Sequence, residues 1–134
     1  MDQRMLNLLR EAKVIAVVGI SDKPERPSHQ VAAYLQTQGY RIVPINPGLA
    51  SVLGRPCFST LSACGEPVDI VDIFRASEAV PPIVDEAILT GAKAIWMQEG
   101  VSNAEAAAKA EAAGLQVVQD QCIKRVLMTY GGRP

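Results

Sequence analysis

A continuous apolar run, Val14–Val18, stands near the start of the chain. Continuous rather than alternating hydrophobicity predicts a strand that is buried on both faces, as in the centre of a parallel sheet. Gly19 ends the run, a polar loop with two prolines follows, and a helical pattern begins near Ser28. A buried strand, a glycine turn and a helix N-terminus together form an anion site. The stretch therefore predicts the first half of a nucleotide-binding βαβ unit.

The remaining pattern alternates between strand-like and helix-like segments. Strands are predicted at 14–18, 41–45, 56–58, 68–74, 94–97 and 115–118. Helices are predicted at 3–12, 28–38, 80–90, 104–113 and 123–130. Asp2, Ser28 and Asn103 are expected to cap their helices, the first helix is expected at the sheet edge, and residues 131–134 are expected to be loose. The alternation predicts a single domain, residues 1–134, with an α/β Rossmann-like fold: a doubly wound, mostly parallel sheet with helices on both faces.

Right-handed crossovers define where a ligand would bind. They place strand 14–18 in the centre, flanked by strands 41–45 and 68–74. The crevice between the first and the last of these is the topological switch point, and ligands bind there at the carboxyl ends of the strands. The candidate site residues are Gly19, Ile20, Ser21, Asn46, Pro47, Phe74, Arg75, Gln98 and residues 120–122.

Composition narrows the range of functions. The chain is 49% hydrophobic and carries a formal net charge of -1, so there is no electrostatic reason to expect nucleic acid or an anionic membrane as a partner. No apolar run approaches the length of a membrane span, and the N-terminus lacks the apolar core of a signal peptide. Three cysteines without paired spacing fit free thiols in a reducing cytoplasm. His29 is the only histidine, so we expect no catalytic relay and no multi-histidine metal site.

The candidate site departs from a dinucleotide fingerprint in two ways. Gly19 stands alone where the fingerprint has G-x-G-x-x-G, and Asn46 follows strand 41–45 where an NAD site has an acidic residue. Both departures count against an NAD(P)-dependent redox protein, which remains an alternative.

Cations and a hydroxyl suggest a ligand with several phosphate charges. Ser21, Lys23 and Arg26 lie beside the predicted helix N-terminus, and Arg75 enters from the opposite wall of the crevice. Charged donors of this kind favour phosphate groups. Each could instead be an ordinary surface side chain, and Arg75 could pair with Glu78. Phe74 and Trp96 also fit core positions.

These residues carry a resemblance to a known family. The matching segments are 17–21, 23–24, 26–28, 39–40, 46–47, 68–75, 96–100 and 122–124. Over residues 12–125 the chain resembles the small stand-alone CoA-binding proteins, which are related to the CoA-binding N-terminal domain of the succinyl-CoA synthetase α subunit.

The resemblance implies a Rossmann-like domain that binds CoA or acyl-CoA at the carboxyl ends of the strands. It implies that the loop after strand 14–18 holds phosphates, that Asn46-Pro47 lies near the adenosine half, and that Phe74-Arg75 borders the ligand. We interpret the chain as a carrier, sensor or regulatory module without catalysis of its own. A subunit of an acyl-CoA synthetase-like complex is the other alternative. Cys122, on the ligand edge, is either a reactive thiol or a small hydrophobic residue.

Overall fold

The computed structural model describes residues 2–134, and Met1 lies outside the described residues. Within that range one five-stranded parallel sheet runs through the molecule, in the order β2-β1-β5-β6-β7. Its strands are β1 Val14–Val18, β2 Arg41–Ile45, β5 Ile70–Ile73, β6 Ala94–Met97 and β7 Gln116–Val118. The short strands β3 Ser51–Val52 and β4 Arg55–Pro56 form a separate antiparallel pair. The Rossmann-like α/β fold with a central β1 is therefore confirmed.

Helices cover both faces of the sheet. They are α1 Gln3–Glu11, α2 Pro27–Thr37, α3 Val80–Thr90, α4 Ala104–Ala112 and α5 Ile123–Thr129, with 3-10 turns at Ser62–Cys64 and Ser77–Ala79. The buried residues of α1, α2 and α5 share one hydrophobic cluster, and those of α3 and α4 share the other. No helix within residues 2–134 has both the length and the apolar character needed to cross a lipid bilayer.

Alternation along β1 divides its side chains between the two layers. Ile15 and Val17 pack with α1, α2 and α5, whereas Ala16 and Val18 pack with α3 and α4. All four are buried, as expected for a central parallel strand. The core is mostly aliphatic, and the fully buried Trp96 satisfies its indole N–H by donating to the Gln121 carbonyl at 2.8 Å.

A fully buried carboxyl group in this core has no hydrogen-bond partner within the described residues. Asp72 lies in β5 between Val17 and Trp96 of the neighbouring strands and is fully buried. Neither carboxyl oxygen makes a hydrogen bond within the described chain. Burial raises the pKa of Asp72 well above its usual value, because the ionised form is poorly solvated there. Burial without a partner therefore favours the neutral, protonated form of this side chain.

The sequence prediction was wrong for the first turn of α2. The helix begins at Pro27 with Arg26 as N-cap, so Ser28 is an internal residue. Its hydroxyl instead accepts from the backbone N–H of Ser21 at 2.9 Å. Pro27 occupies the first helical position, where a missing N–H costs nothing. The capping predictions for Asp2 and Asn103 are confirmed, since each side chain accepts from a backbone N–H of the first turn.

Two further expectations differ from the structure. The strand expected at 56–58 is replaced by the β3–β4 pair and an isolated bridge between Phe58 and Ile45. The expected loose tail is held, because the Arg133 guanidinium donates to the Ala12 carbonyl at 2.6 Å and stacks 4.3 Å from the Tyr40 ring centroid.

Candidate functional site

The loop after β1 surrounds a cavity of about 450 Å³ at the carboxyl ends of β1 and β2. We call it the loop cavity. It is lined by Gly19, Ile20, Ser21, Asp22, Arg26, Pro27, Ser28, Asn46, Leu49 and Phe74. It therefore lies where the α2 N-terminus, the β1 turn and the β2 turn meet, which is the anion-binding end of a βαβ unit.

The Asn46 side chain ties the two turns of this cavity together. Its amide Nδ2 donates to the Ile20 carbonyl at 2.7 Å, and its Oδ1 accepts from the Gly48 backbone N–H at 2.8 Å. The second bond closes a turn at residues 46–48. Because both ends of the amide are engaged with backbone groups, Asn46 shapes the cavity wall.

The loop itself is held by α2. Besides the bond from Ser21 N to Ser28 Oγ, the His29 ring nitrogen Nδ1 lies 3.0 Å from the Ser21 carbonyl oxygen. The Ser21 hydroxyl accepts from the Lys23 backbone N–H at 3.1 Å and keeps its own proton available to donate. The only histidine of the chain is thus a structural contact of the loop.

Backbone donors remain available around the loop cavity. Within residues 2–134, the backbone N–H groups of Ile20, Asp22 and Ser28 make no hydrogen bond. All three residues line the cavity, and Ser28 lies in the first turn of α2, at the positive end of its dipole. The exposed Arg26 adds a positive side chain, while the exposed Asp22 adds a negative one. The free N–H groups favour an anionic ligand. Because Arg26 and Asp22 carry opposite charges, the negative groups of that ligand are expected in only part of the cavity.

A second cavity, of about 940 Å³, lies between α2 and α5. We call it the α5 cavity. It is lined by Pro27, Gln30, Val31, Phe74, Arg75, Gln98, Glu99, Val101, Cys122, Lys124, Arg125, Met128 and Thr129. Pro27 and Phe74 line both cavities, so the two adjoin at the end of β5.

The charges around the α5 cavity are largely committed to partners. Arg125 forms an ion pair with Glu99 at 2.7 Å. The Lys124 ammonium lies 5.5 Å from the ring centroid of Tyr34. Arg75 forms no ion pair within residues 2–134, so the expected alternative pairing with Glu78 is absent there. The exposed Arg75 is the cation left for a ligand where the cavities adjoin.

Gln98 closes the base of the α5 cavity. It is buried, and its Oε1 accepts from the Ile123 backbone N–H at 3.1 Å, so it positions the first turn of α5. The neighbouring loops are joined as well, because Asp120 Oδ1 accepts from the Gly100 N–H at 2.7 Å.

Most of the sequence-predicted site residues surround these two cavities. Gly19, Ile20, Ser21, Arg26 and Asn46 line the loop cavity, Arg75 and Gln98 line the α5 cavity, and Phe74 lines both. Lys23 and Pro47 are exposed and line neither cavity. Their contact with a ligand stays a prediction.

Sequence reasoning missed the helical walls of the α5 cavity. On α5 the wall consists of Lys124, Arg125, Met128 and Thr129, and on α2 it consists of Pro27, Gln30 and Val31. Both sets have the spacing of one helical face. The sequence order could have indicated the α5 wall. Helix α5 follows the last strand, so it begins at the carboxyl ends of the strands, where the other candidate residues lie.

The fold and the two adjoining cavities define a Rossmann-like α/β domain with an extended ligand cleft at the carboxyl ends of its strands. Residues 13–128 match the family model described as CoA binding domain, and the chain belongs to that family.

Two similar proteins match this chain over most of their length, and a third matches it over a small part. The uncharacterized protein YneT of Bacillus subtilis is 42% identical over 117 residues, which cover 87% of each chain. A solved structure of a hypothetical protein from Pyrococcus horikoshii superposes with a TM-score of 0.94 at 36% identity, covering 98% of this chain and 93% of that one. The ADP-forming acetate–CoA ligase I of Archaeoglobus fulgidus is 25% identical over 121 residues. That match covers 83% of this chain but only 18% of the ligase.

Proposed function

We propose that this protein binds CoA or an acyl-CoA along the carboxyl ends of its sheet, as a carrier, sensor or regulatory module without catalysis of its own. The observation that carries the proposal is the pair of cavities that adjoin at Pro27 and Phe74, in a chain that belongs to the CoA binding domain family. CoA is itself a two-part molecule, with a charged nucleotide half and a thin, uncharged pantetheine arm.

The nucleotide half is assigned to the loop cavity. Free N–H groups of Ile20, Asp22 and Ser28, together with Arg26, supply donors for phosphate oxygens. The Ser21 hydroxyl supplies one more. We place the adenosine on the Asn46 and Leu49 side, where the mixed polar and apolar wall fits a base and a ribose.

The pantetheine arm is assigned to the passage from the loop cavity into the α5 cavity. It would pass Phe74, whose half-buried ring offers apolar contact, and enter between α2 and α5. Arg75 is placed to meet a phosphate at the point of entry. The thiol end of the arm then lies in the α5 cavity.

Our proposal is limited to binding, because this chain matches only a small part of the ligase. The acetate–CoA ligase relative is an ADP-forming enzyme by name, and this chain spans 18% of its length. Only a binding role is therefore assigned to this chain. The three cysteines are free thiols, which supports a reducing cytoplasmic setting.

Thermal unfolding with matched ligands tests the proposal. A ligand that binds only the folded state stabilises it by about 2.7 kcal/mol at a hundredfold excess over Kd, which moves the melting temperature by several degrees. CoA and acetyl-CoA are expected to raise the melting temperature, and NAD and NADP at equal concentration to raise it much less. Dephospho-CoA is expected to fall between them if a cation reads the 3′-phosphate.

An Arg75→Ala variant serves as the internal check. It removes the unpaired cation where the cavities adjoin, so the shift produced by CoA should shrink while the melting temperature without ligand stays close to that of the parent. A larger shift with NAD or NADP than with CoA would reject the proposal and favour a redox protein.

A further inference from the structure

The α5 cavity is larger than its assigned occupant requires. Its volume of about 940 Å³ is more than twice that of the loop cavity, at about 450 Å³. Yet the pantetheine arm that would enter it is the smaller half of CoA. The arm alone therefore leaves part of the α5 cavity unfilled.

Part of the lining of the α5 cavity is apolar. Val31 from α2, Val101 from the loop after β6 and Met128 from α5 line it together with Phe74. Met128 is 57% exposed and is one of two large hydrophobic side chains that are exposed in the described chain, the other being Leu89 at 86%. Methionine packs against varied shapes, because it is flexible and polarizable. An exposed methionine on a cavity wall gains contact when an apolar group enters.

The positively charged side chains of α5 that line this cavity already have partners. Arg125 is paired with Glu99, and the Lys124 ammonium is directed at the Tyr34 ring. Gln98 is neutral and uses its carbonyl oxygen to hold α5. The unpaired Arg75 lies at the entry, where a CoA phosphate would meet it. These observations favour an uncharged group over a carboxylate.

We infer that the α5 cavity holds an uncharged aliphatic acyl chain, and that the ligand of this protein is a CoA thioester with such a chain of several carbons. This inference rests on the proposed function, since it assumes that CoA enters the two cavities in the orientation given above. Val31, Val101 and Met128 form the acyl-chain wall.

Calorimetric titration with CoA, acetyl-CoA, butyryl-CoA, hexanoyl-CoA and octanoyl-CoA tests the inference. Each methylene buried against the wall is expected to raise the affinity by up to about fourfold. Succinyl-CoA and butyryl-CoA form a four-carbon pair that differs by a carboxylate, and butyryl-CoA is expected to bind more tightly.

Two variants locate the effect. Met128→Glu places a charge on the acyl-chain wall, so the ratio of octanoyl-CoA affinity to CoA affinity should fall towards one. Leu89→Glu makes the same change at the other exposed hydrophobic residue, on α3, and should keep the parent ratio.

The results distinguish failure of the acyl-chain assignment from failure of CoA binding itself. Binding of CoA with equal affinity for every chain length, or tighter binding of succinyl-CoA than of butyryl-CoA, overturns the acyl-chain assignment and leaves CoA binding intact. No binding of any member of the series overturns the proposed function as well.

Discussion

Gly19 stands against the main chain of Phe74 with no room for a side chain between them. A Cβ at Gly19 would lie 2.6 Å from the Phe74 carbonyl oxygen and 2.8 Å from Cδ of Arg75. The glycine also has a φ of +88°, which L-residues with a side chain rarely adopt. The contact brings the β1 turn against the end of β5, which is where the loop cavity and the α5 cavity adjoin.

Gly19→Ala is expected to destabilise the fold by more than the strain of a positive φ alone. Strain in that region costs about 1–3 kcal/mol. The added methyl group must also displace the Phe74 backbone. Urea denaturation measures the change in free energy of unfolding, and Gly114→Ala provides the control, because Gly114 has a φ of +92° and nothing within 4 Å of an added Cβ. Equal losses in the two variants would show that the close approach is unimportant.

Arg26 and Lys23 are expected to differ in their effect on CoA affinity, although both lie in the loop after β1. Arg26 lines the loop cavity and Lys23 does not. A charge-assisted hydrogen bond contributes about 1.5–3 kcal/mol, so Arg26→Ala should weaken CoA binding about tenfold to a hundredfold. Lys23 does not line the cavity, so Lys23→Ala changes only the long-range attraction between the loop and the CoA phosphates. Its effect on CoA affinity should be smaller and should disappear as salt is added.

Calorimetry at two salt concentrations checks this difference. The folded state is expected to tolerate Arg26→Ala, because the Arg26 side chain makes no capping hydrogen bond to α2. Equal affinities of the two variants would mean that the loop cations act as a diffuse charge, without a specific phosphate contact.

Asp72 is expected to make the protein less stable as pH rises. Its pKa is raised by burial in the folded state, whereas in the unfolded chain it ionises near pH 4. Unfolding then releases a proton, so the contribution to stability is greatest below the unfolded pKa and is lost as pH rises towards the folded pKa. The slope for one proton is about 1.4 kcal/mol per pH unit.

An isosteric amide isolates this group. Asp72→Asn cannot ionise, so the decline of unfolding free energy as pH rises above the unfolded pKa should become shallower than in the parent. Asp85→Asn, on the half-exposed side chain that pairs with Lys109, should leave the decline in place. A parent and an Asp72→Asn variant with parallel pH profiles would contradict a protonated Asp72.

Cys122 is expected to be the cysteine that reacts with CoA disulfide. It lines the α5 cavity, where the CoA thiol is placed, whereas Cys57 and Cys64 line neither cavity. Burial raises the pKa of Cys57, which disfavours its thiolate. The Cys122 thiolate would attack one sulfur of the disulfide, form a mixed disulfide and release one CoA thiolate.

Intact-mass measurement after incubation with CoA disulfide follows this reaction. One CoA adduct per chain is expected, and Cys122→Ser should abolish it. An adduct that persists in Cys122→Ser would place the CoA thiol elsewhere and weaken the assignment of the pantetheine arm.

Features that depend on the hydrophobic pattern and on the direction of the chain could be predicted from the sequence. A continuous apolar β1, the glycine after it and the helix that follows predicted the central strand and the loop cavity. The carboxyl ends of parallel strands meet at one edge, so Phe74 and Gln98 could be placed near the same site before the fold was known.

Features that depend on side-chain direction could not be predicted in the same way. Serine is a common N-cap residue, but α2 already begins at Pro27. The Ser28 hydroxyl instead accepts a hydrogen bond from the Ser21 backbone N–H. The sequence also does not show that the Asn46 amide bonds to the Ile20 carbonyl and the Gly48 N–H while lining the loop cavity. Likewise, the pattern showed that Met128 belonged to a helix, but not that this helix stands opposite α2.

The contact between Arg133 and Ala12 bears on the order in which the protein can assemble during its synthesis. The two residues are 121 positions apart, and Arg133 closes over the segment that leads into the central strand. Strands β2, β1 and β5 are complete in the first part of the chain and can pair while the rest is still being made. The closing contact has to wait until nearly all of the described chain has left the ribosome. Arg133 therefore closes over a sheet in which β2, β1 and β5 can already have paired.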